Sequence, residues 1–249
     1  MLFLRSLLFT SLQILTTVLF SLLGVLLWPL PFTLRYKVVS KWAHINLWLL
    51  ENICGISYQI EGLEHITEQP CIIMCKHQSA WETLALQVVF PQQVWVLKRE
   101  LLWIPFFGWG LAALNPIAID RSAGRKALNQ VIEQGTQRLL SGSWVVIYPE
   151  GTRIPPGNIG RFGIGGAKLA IESGANVIPV AHNAGKAWPK KGFIKYPMQI
   201  KMMIGEKIEV QDKTAAQLNQ QVYQWMEGQM MNLEGVQPKA FVKGDKNRG

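Results

Sequence analysis

The sequence is poor in cysteine, in histidine and in charged residues. Its three cysteines, Cys54, Cys71 and Cys75, form no CxxC pair, so neither a disulfide framework nor a zinc site of standard spacing is predicted, and we expect no metal. Charged residues make up only 16% of the 249 residues and hydrophobic residues 49%, which excludes a disordered chain. We expect one large globular domain with an appendage, in a reducing compartment.

Acidic residues are scarce relative to basic ones. The chain has 25 Lys and Arg against 16 Asp and Glu, a formal net charge of +9. Part of this excess lies in residues 235–249, which we expect to form a basic flexible tail. The remaining charge suits an anionic lipid bilayer or a phosphorylated substrate better than a nucleic acid, so we expect no nucleic acid among the partners.

A long run without charge lies near the N-terminus. The 23 residues from Ser6 to Trp28 can cross about 30 Å of hydrocarbon as a helix. A signal peptide is the alternative, but the run exceeds the roughly 7 to 15 residues usual there, and no small-residue cleavage site follows. Arg35, Lys37 and Lys41 follow the run, while Arg5 precedes it. The positive-inside rule therefore predicts an inner-membrane protein whose remaining chain faces the cytoplasm.

Two further apolar segments follow this first run. The run from Leu101 to Ile119 is interrupted by prolines and glycines, which favours a buried or membrane-surface segment over a second span. Upstream of it, apolar residues recur at helical spacing and predict an amphipathic helix that ends near Cys54: Val38, Trp42, Ile45, Leu49 and Ile53. We expect residues 1–55 to form N-terminal membrane-anchoring helices.

From residue 56 onward, short apolar segments alternate with helical patterns. The predicted strands are ISYQIEG, CIIMC, VWVLK, IAI, WVVIYP, VIPVA and QIKMMI. Helices are predicted between most of them and from Thr214 to Leu233. This alternation predicts an α/β fold over residues 56–234, with a largely parallel sheet flanked by helices. Active sites of such sheets gather at the carboxyl ends of the strands.

The segment CKHQSAWETL places His77 directly after a predicted strand, and two interpretations compete for Glu82. In the first, Ser79 and Glu82 form a capping box, with the carboxylate on the backbone amide of Ser79. In the second, Glu82 accepts the proton of one ring nitrogen of His77 and leaves the other nitrogen free as a general base. A catalytic pair predicts that Glu82 lies nearer a ring nitrogen of His77 than the amide of Ser79.

Two charged clusters are predicted at the same edge of the sheet. The segment YPEGTR supplies Glu150, Gly151, Thr152 and Arg153. An arginine in a tight turn suits bidentate phosphate binding, and Gly151 permits close backbone approach. Lys98 and Arg99 end another strand, where phosphate contact would lie beside an acyl-chain slot. A surface turn with an ordinary Glu and Arg pair, and a charged strand end that leads into a core helix, are the alternatives.

Taken in this order and spacing, these segments resemble the glycerolipid acyltransferase superfamily, most closely its bacterial lysophosphatidic acid acyltransferases. His77 with Glu82 resembles the motif H-x4-D, YPEGTR resembles [FY]-P-E-G-T-R, and Val177 to Val180 resembles the apolar fourth motif. The second motif, a basic residue before an apolar stretch, is matched by Lys98, Arg99, Pro105 and Gly108. Three positions depart from the pattern: Glu82 replaces the commoner Asp, Gly163 a common Lys, and Lys76 a frequent Asn.

The resemblance covers about residues 62–205 and implies an enzyme. It would transfer an acyl group from acyl-CoA or acyl-acyl-carrier-protein, as co-substrate, to the sn-2 hydroxyl of lysophosphatidic acid, forming phosphatidic acid without a further cofactor. The resemblance implies His77 as the general base, oriented by Glu82. It also implies a substrate-binding set: Lys98, Arg99, Glu150, Gly151, Thr152 and Arg153.

Other functions stay open from the sequence. The acceptor can be another lysolipid, such as a lyso-ornithine lipid or a lysophospholipid with a larger head group. A membrane-bound hydrolase would use Ser79 or Cys75 with His77, although the chain has no G-x-S-x-G segment. A non-catalytic lipid-binding protein would use the same basic and apolar surface.

Overall fold

A seven-stranded sheet organises the computed structural model, which describes residues 1–241 apart from the side chain of Arg121. The strands of this sheet are β1 (Ile56–Glu61), β2 (Ile72–Cys75), β3 (Gln93–Lys98), β4 (Ile117–Ile119), β5 (Trp144–Ile147), β7 (Val177–His182) and β8 (Met198–Ile204). Two further short strands, β6 (Asn158–Ile159) and β9 (Lys239–Ala240), pair with each other outside it. The order across the sheet is β1-β8-β7-β2-β5-β3-β4. Neighbours run parallel except β7 and β8, so the predicted largely parallel sheet is confirmed.

Helices flank this sheet and extend before it. They are α1 (Leu2–Leu26), α2 (Phe32–Val39), α3 (Lys41–Cys54), α4 (Trp81–Val89), α5 (Phe107–Ala113), α6 (Arg125–Leu140), α7 (Gly165–Ser173) and α8 (Ala215–Glu234). Short 3₁₀ turns span Leu63–His65, Arg99–Trp103 and Arg121–Ala123. The capping box of Thr214 and Gln217 begins α8, which agrees with the helix start predicted there.

The core has two halves, one on each face of the sheet. Strand β2 shows the division, because Ile73 and Cys75 pack with α3 and α4, whereas Ile72 and Met74 pack with α6, α7 and α8. All four side chains are fully buried. Strands that are buried on both faces are apolar at every position, which explains why this segment has no alternating pattern.

The centre of the sheet determines which segments can meet. Strand β2 lies between β5 and β7, and Met74 is opposite both Ile147 and Pro179 in the register. The carboxyl ends of these three parallel strands therefore lie side by side. The segments that follow them, residues 76–80, 148–164 and 183–197, converge above that edge.

Helix α1 packs against α3 and α5 instead of standing apart from the α/β domain. Phe9 and Gly24 are buried on its inner side, while its outer side exposes large apolar residues, among them Leu4, Ile14, Leu15, Leu19 and Leu26. Within residues 1–241, α1 is the one helix long and apolar enough to cross a membrane, by length and composition. The second uncharged run forms no long helix, since it is divided between a 3₁₀ turn, α5 and β4.

The predicted amphipathic helix is present as α3, but its buried residues are not those of the predicted apolar stripe, and Val38 of that stripe lies in α2. The buried residues are Ala43, Asn46, Leu47, Leu50 and Cys54, whereas Ile45 of the predicted stripe is 37% exposed. Helix α3 is apolar on more than one side, so periodicity alone did not determine which side packs against α1 and α4.

Arg35, one of the basic residues that follow the first apolar run, is buried. Its guanidinium donates to the carbonyls of Ala113 and Trp28 and to Oδ1 of Asn115. This side chain therefore joins α2 to the end of α5 and adds nothing to the surface charge beside α1.

The tail predicted over residues 235–249 lies partly outside the described residues, which end at 241. In the described part, β9 pairs in parallel with β6.

Candidate active site

His77 and Glu82 lie together at the carboxyl edge of the sheet. Nδ1 of His77 is 2.7 Å from Oε1 of Glu82, whose side chain is completely buried. A carboxylate accepts, so Nδ1 carries the proton and donates it to Glu82. Nε2 is then the ring nitrogen left for the adjacent cavity, towards which His77 keeps 16% of its side chain exposed.

The carboxylate of Glu82 also binds two backbone amides. Oε1 accepts from the amides of Gln78 at 3.0 Å and Ser79 at 2.9 Å, and Oε2 accepts from Ser79 at 3.1 Å. Glu82 is therefore nearer Nδ1 of His77 than the amide of Ser79, as a catalytic pair predicts. The two interpretations are not exclusive, because one carboxylate makes both contacts.

Ser79 does not cap the helix in the predicted way. Helix α4 begins at Trp81, and Oγ of Ser79 donates to the carbonyl of Trp188 at 2.7 Å and accepts from the amide of Trp81 at 3.2 Å. This contact joins the segment after β2 to the segment after β7. Ser79 is fully buried, which removes its hydroxyl from the candidate nucleophiles.

Glu82 is held in its ionised form. Burial acts to raise the pKa of Glu82. The electrostatic interaction with His182, together with the hydrogen bond and charge of His77, outweighs burial and lowers that pKa below its ordinary 4.5. Burial lowers the pKa of His182, whose Nδ1 accepts from the amide of Ala184 and whose Nε2 donates to the carbonyl of Lys76. That pattern belongs to a neutral imidazole, so we attribute the ionisation of Glu82 chiefly to His77 and the backbone amides.

Tyr148 covers one face of the His77 ring. The two rings are stacked with centroids 4.0 Å apart and an angle of 16° between their planes. The Tyr148 hydroxyl is buried without a hydrogen-bond partner in the described part of the chain, and burial holds its pKa well above the usual range. The neutral ring, not the hydroxyl, is thus the part that acts on His77.

Glu150 has a different place from the one predicted. Its buried carboxylate accepts hydrogen bonds from Nζ of Lys76 at 2.7 and 2.9 Å. It also accepts from the backbone amides of His77 at 3.1 Å and Gly160 at 2.8 Å. These bonds use both oxygens inside the protein, so Glu150 joins two segments and does not line the cavity. Lys76, at the position where the resemblance expected Asn, is the buried partner of this charge.

A cavity of about 840 Å³ opens beside His77. The polar and charged part of its lining includes His77, Lys98, Gly151, Thr152, Arg153, Lys190 and Lys191. Its apolar wall includes Val18, Trp42, Leu84, Trp95, Leu97, Phe107, Leu111 and Leu114. Gln13 and Thr17 of α1 also line it, so α1 forms part of the site.

The structure separates the two basic residues that end β3. Lys98 lines the cavity, while Arg99 is 53% exposed and pairs with Asp120 at 3.2 Å. Arg99 is therefore not brought to the site. Lys98 and Arg153, 55 positions apart in the chain, face the same cavity.

Lys190 and Lys191 were not among the predicted site residues. Nζ of Lys190 donates to Oγ1 of Thr152 at 3.2 Å and to the carbonyl of Arg153 at 2.9 Å. Both lysines lie in the segment AWPKKG, which has no periodicity and no strand end from which a role could be predicted.

Other candidate chemistry finds no support in the site. Cys75 is fully buried, its Sγ donates to the carbonyl of Lys76, and burial holds its pKa well above the ordinary value, so it is not a reactive thiolate. Within residues 1–241, no group of three or more His, Cys, Asp or Glu side chains is arranged to hold a metal ion.

Known proteins are similar to this chain in sequence and in fold. The Acyltransferase family matches residues 57–183. A 1-acyl-sn-glycerol-3-phosphate acyltransferase of Pseudomonas aeruginosa is 47% identical over 214 residues, 84% of this chain and 83% of the relative. One of Limnanthes douglasii is 28% identical over 232 residues, 91% of this chain and 81% of the relative. The crystal structure of the 1-acyl-sn-glycerophosphate (LPA) acyltransferase PlsC from Thermotoga maritima covers 95% of this chain and 97% of its own, with a TM-score of 0.79 and 22% identity, a likeness of fold alone.

Proposed function

This chain belongs to the acyltransferase family, and on that premise we propose that it is a 1-acylglycerol-3-phosphate O-acyltransferase. It transfers an acyl group from an acyl thioester to the sn-2 hydroxyl of lysophosphatidic acid and forms phosphatidic acid for phospholipid synthesis. The relative from Pseudomonas aeruginosa, with 47% identity over most of both chains, supports this acceptor.

One observation carries the mechanism. The Nδ1 of His77 is fixed by a buried carboxylate at 2.7 Å, and the same ring borders a cavity lined by both basic and apolar side chains. A base, an anion site and an acyl slot are the three parts that acylation of a phosphorylated lipid alcohol requires.

The chemistry follows from the fixed tautomer. Nε2 of His77 accepts the proton of the sn-2 hydroxyl while that oxygen attacks the thioester carbonyl carbon. The imidazolium that forms is stabilised by Glu82, on the Nδ1 side. When the tetrahedral intermediate collapses, the C–S bond breaks and the sulfur leaves as a thiol, with the proton returned by His77. The thioester is already activated, so no covalent enzyme intermediate is needed, and positioning supplies much of the remaining rate.

The basic part of the cavity lining is the proposed phosphate site. Arg153 and Lys98 line it, and Lys190 lies against the carbonyl of Arg153. A guanidinium with ammonium groups nearby matches the phosphate of lysophosphatidic acid. Gly151 and Thr152 form the turn that presents Arg153, and Glu150 holds that turn from inside.

The acyl donor is proposed to be acyl-CoA or acyl-acyl-carrier-protein, used as co-substrate without a further cofactor. Its acyl chain lies along the apolar wall formed by α1, α4, β3 and α5. The thioester carbonyl then lies beside His77, where the apolar wall meets the ring.

The protein is proposed to act at the cytoplasmic membrane, with residues 1–55 as its membrane anchor and residues 56–234 on the cytoplasmic side. The exposed apolar side of α1 supports contact with lipid. Gln13 and Thr17, near the middle of α1, line the same cavity as His77. If α1 crossed the whole bilayer, the charged site would lie at mid-depth, which is costly, so partial entry of α1 is favoured.

A purified-protein assay tests the proposal. Lysophosphatidic acid is offered with acyl-CoA and with acyl-acyl-carrier-protein, and phosphatidic acid is measured beside the His77→Ala variant. We expect product with at least one donor, and a rate lower by about 10² to 10⁴ in the variant. A lyso-ornithine lipid tested in parallel is expected to be a poorer acceptor; the reverse order would exclude the proposed acceptor, and an active His77→Ala would exclude the mechanism.

A further inference from the structure

Glu234 is an acidic residue in an unfavourable place. It is the last residue of α8, only 9% exposed, and lies far along the chain from every motif of the site. A negative charge at a helix C-terminus opposes the helix dipole by about 0.3 to 1 kcal/mol, and burial adds a further cost. Helix stability therefore does not explain Glu234, and its contacts must.

The carboxylate of Glu234 contacts two of the segments that form the site. Oε1 accepts from the side-chain amide of Gln78 at 2.9 Å, across 156 positions of the chain. Oε2 accepts from the backbone amide of Gly157. Oε1 of Gln78 in turn accepts from the amide of Gly185 at 3.3 Å, and Nζ of Lys186 donates to the carbonyl of Glu234 at 3.4 Å.

These contacts reach the segments after β2, β5 and β7 together. The first segment carries His77, directly before Gln78, and the backbone amide of Gln78 donates to Glu82. The second carries Arg153, and the third carries Lys190. His77, Arg153 and Lys190 therefore lie on three different segments, and Glu234 and Gln78 join these segments.

The chain after α8 strengthens the contact with the second segment. The amide of Lys239 donates to the carbonyl of Gly157 at 3.0 Å, and the amide of Phe241 donates to the carbonyl of Ile159 at 2.8 Å. Glu234 and β9 thus both hold the segment that follows Arg153, and neither of them lines the cavity.

We infer that Glu234 is a positioning residue for acyl transfer, which sets the distance between the base His77 and the phosphate-binding Arg153 and Lys190. This role rests on the proposed function. Because a displacement of about 1 Å at a reacting pair lowers the rate by as much as 10²-fold, loss of this carboxylate acts on the acylation rate and not only on stability.

The hydrogen-bond pattern provides a reversible test. In Glu234→Gln, the new amide oxygen still accepts from Gly157, but its NH₂ group faces the NH₂ group of Gln78. To accept a hydrogen bond from the new NH₂ group at position 234, the side-chain oxygen of Gln78 must turn away from the amide of Gly185, and that bond is then lost. Gln78→Glu alone places two carboxylates against each other.

The exchanged pair, Gln78→Glu with Glu234→Gln, restores every bond. The NH₂ group at position 234 donates to the new carboxylate at 78, whose second oxygen accepts from Gly185, while the amide oxygen at 234 accepts from Gly157. Net charge is unchanged from the wild type. Glu227→Gln, about two turns earlier on α8, removes the same charge as Glu234→Gln and serves as the matched control.

Kinetics and amide hydrogen exchange are measured on the full chain in detergent, well below its unfolding temperature. We expect Glu234→Gln and Gln78→Glu each to lower kcat/KM for lysophosphatidic acid about tenfold or more and to raise the KM for it. The exchanged pair returns kcat/KM to within about threefold of the wild type. Exchange in residues 76–80, 154–160 and 183–188 becomes faster in each single variant and slow again in the exchanged pair.

Three outcomes overturn the inference. The first is an unchanged kcat/KM and KM in Glu234→Gln, and the second is an effect equal to that of Glu227→Gln. The third is an exchanged pair no better than the single variants. A purely structural role would lower the unfolding temperature while the KM stayed constant. A wild-type protein inactive with lysophosphatidic acid overturns the proposed function instead, and the hydrogen-exchange comparison still decides whether Glu234 joins the three segments.

Discussion

The ring of Tyr148 lies parallel to the imidazole of His77, with the two centroids 4.0 Å apart. An aromatic face attracts a cation, so this contact is stronger when His77 is protonated, as it is after it takes the substrate proton in the proposed mechanism. Tyr148 therefore favours the charged intermediate state over the resting state of the base, in addition to fixing the ring plane.

Replacement of Tyr148 by leucine tests that contact. Loss of the stack removes about 1 kcal/mol, so we expect kcat to fall roughly fivefold further in Tyr148→Leu than in Tyr148→Phe. The phenylalanine variant keeps the ring and loses only the unpaired hydroxyl, so its unfolding temperature should not decrease. Steady-state kinetics and thermal unfolding measure both; equal kcat values in the two variants would contradict a role for the ring.

Glu82 is expected to control the rate through His77. Glu82→Gln removes the charge opposite the imidazolium, and kcat should fall by about 10² to 10⁴. Glu82→Asp keeps the charge but is one methylene shorter, so it should retain more activity than the glutamine variant. If the two variants lost activity equally, charge would not be the reason for the loss.

The lowered pKa of Glu82 also predicts a pH dependence of stability. A carboxyl group whose folded-state pKa lies below its ordinary 4.5 contributes stability above that pH, and the contribution is lost as pH falls through the folded-state pKa. We expect the unfolding temperature of the wild type to fall more steeply than that of Glu82→Gln as pH is lowered from about 6 to about 3. Parallel curves would show that Glu82 makes no such contribution.

Arg153 and Arg99 provide a matched pair for the phosphate site. Charge-assisted hydrogen bonds contribute about 1.5 to 3 kcal/mol, so Arg153→Ala should raise the apparent KM for lysophosphatidic acid roughly 10- to 100-fold. Arg99 pairs with Asp120 outside the cavity, and Arg99→Ala should change that KM less than about threefold. A larger effect of Arg99→Ala than of Arg153→Ala would place the phosphate elsewhere.

The buried pair of Lys76 and Glu150 predicts a stability effect that a second substitution relieves. Lys76→Met leaves the Glu150 charge uncompensated and should lower the free energy of unfolding by about 3 to 5 kcal/mol. Glu150→Gln added to Lys76→Met removes that charge while an amide oxygen still accepts a backbone bond. The double variant should therefore be more stable than Lys76→Met in denaturant titrations, and additive losses would argue against a buried charge.

Much of the fold was predictable because it depends on local pattern. Apolar segments of strand length alternating with helical periodicity were sufficient to predict β1 to β5, β7 and β8, together with α4, α6, α7 and α8, whereas α5 was not predicted as a helix. The H-x4-E spacing left two partners open for Glu82, the ring of His77 and the amide of Ser79, and the structure shows that one carboxylate contacts both. The buried side of α3 was not predictable, because several sides of that helix are apolar.

The sequence by itself determined which chemical groups are available: a histidine with a carboxylate after one strand, a YPEGTR turn after another, and a long apolar N-terminal segment. Only the tertiary structure decided how they combine. The placement of β2 between β5 and β7 brings three distant segments together. Tertiary contacts turn Glu150 inward to Lys76 and draw Arg99 to Asp120, while Lys98 lines the cavity. The tertiary structure also adds Lys190 and Glu234, which lie outside the predicted site residues. These outcomes depend on contacts between residues tens to more than a hundred positions apart, and no local periodicity encodes such contacts.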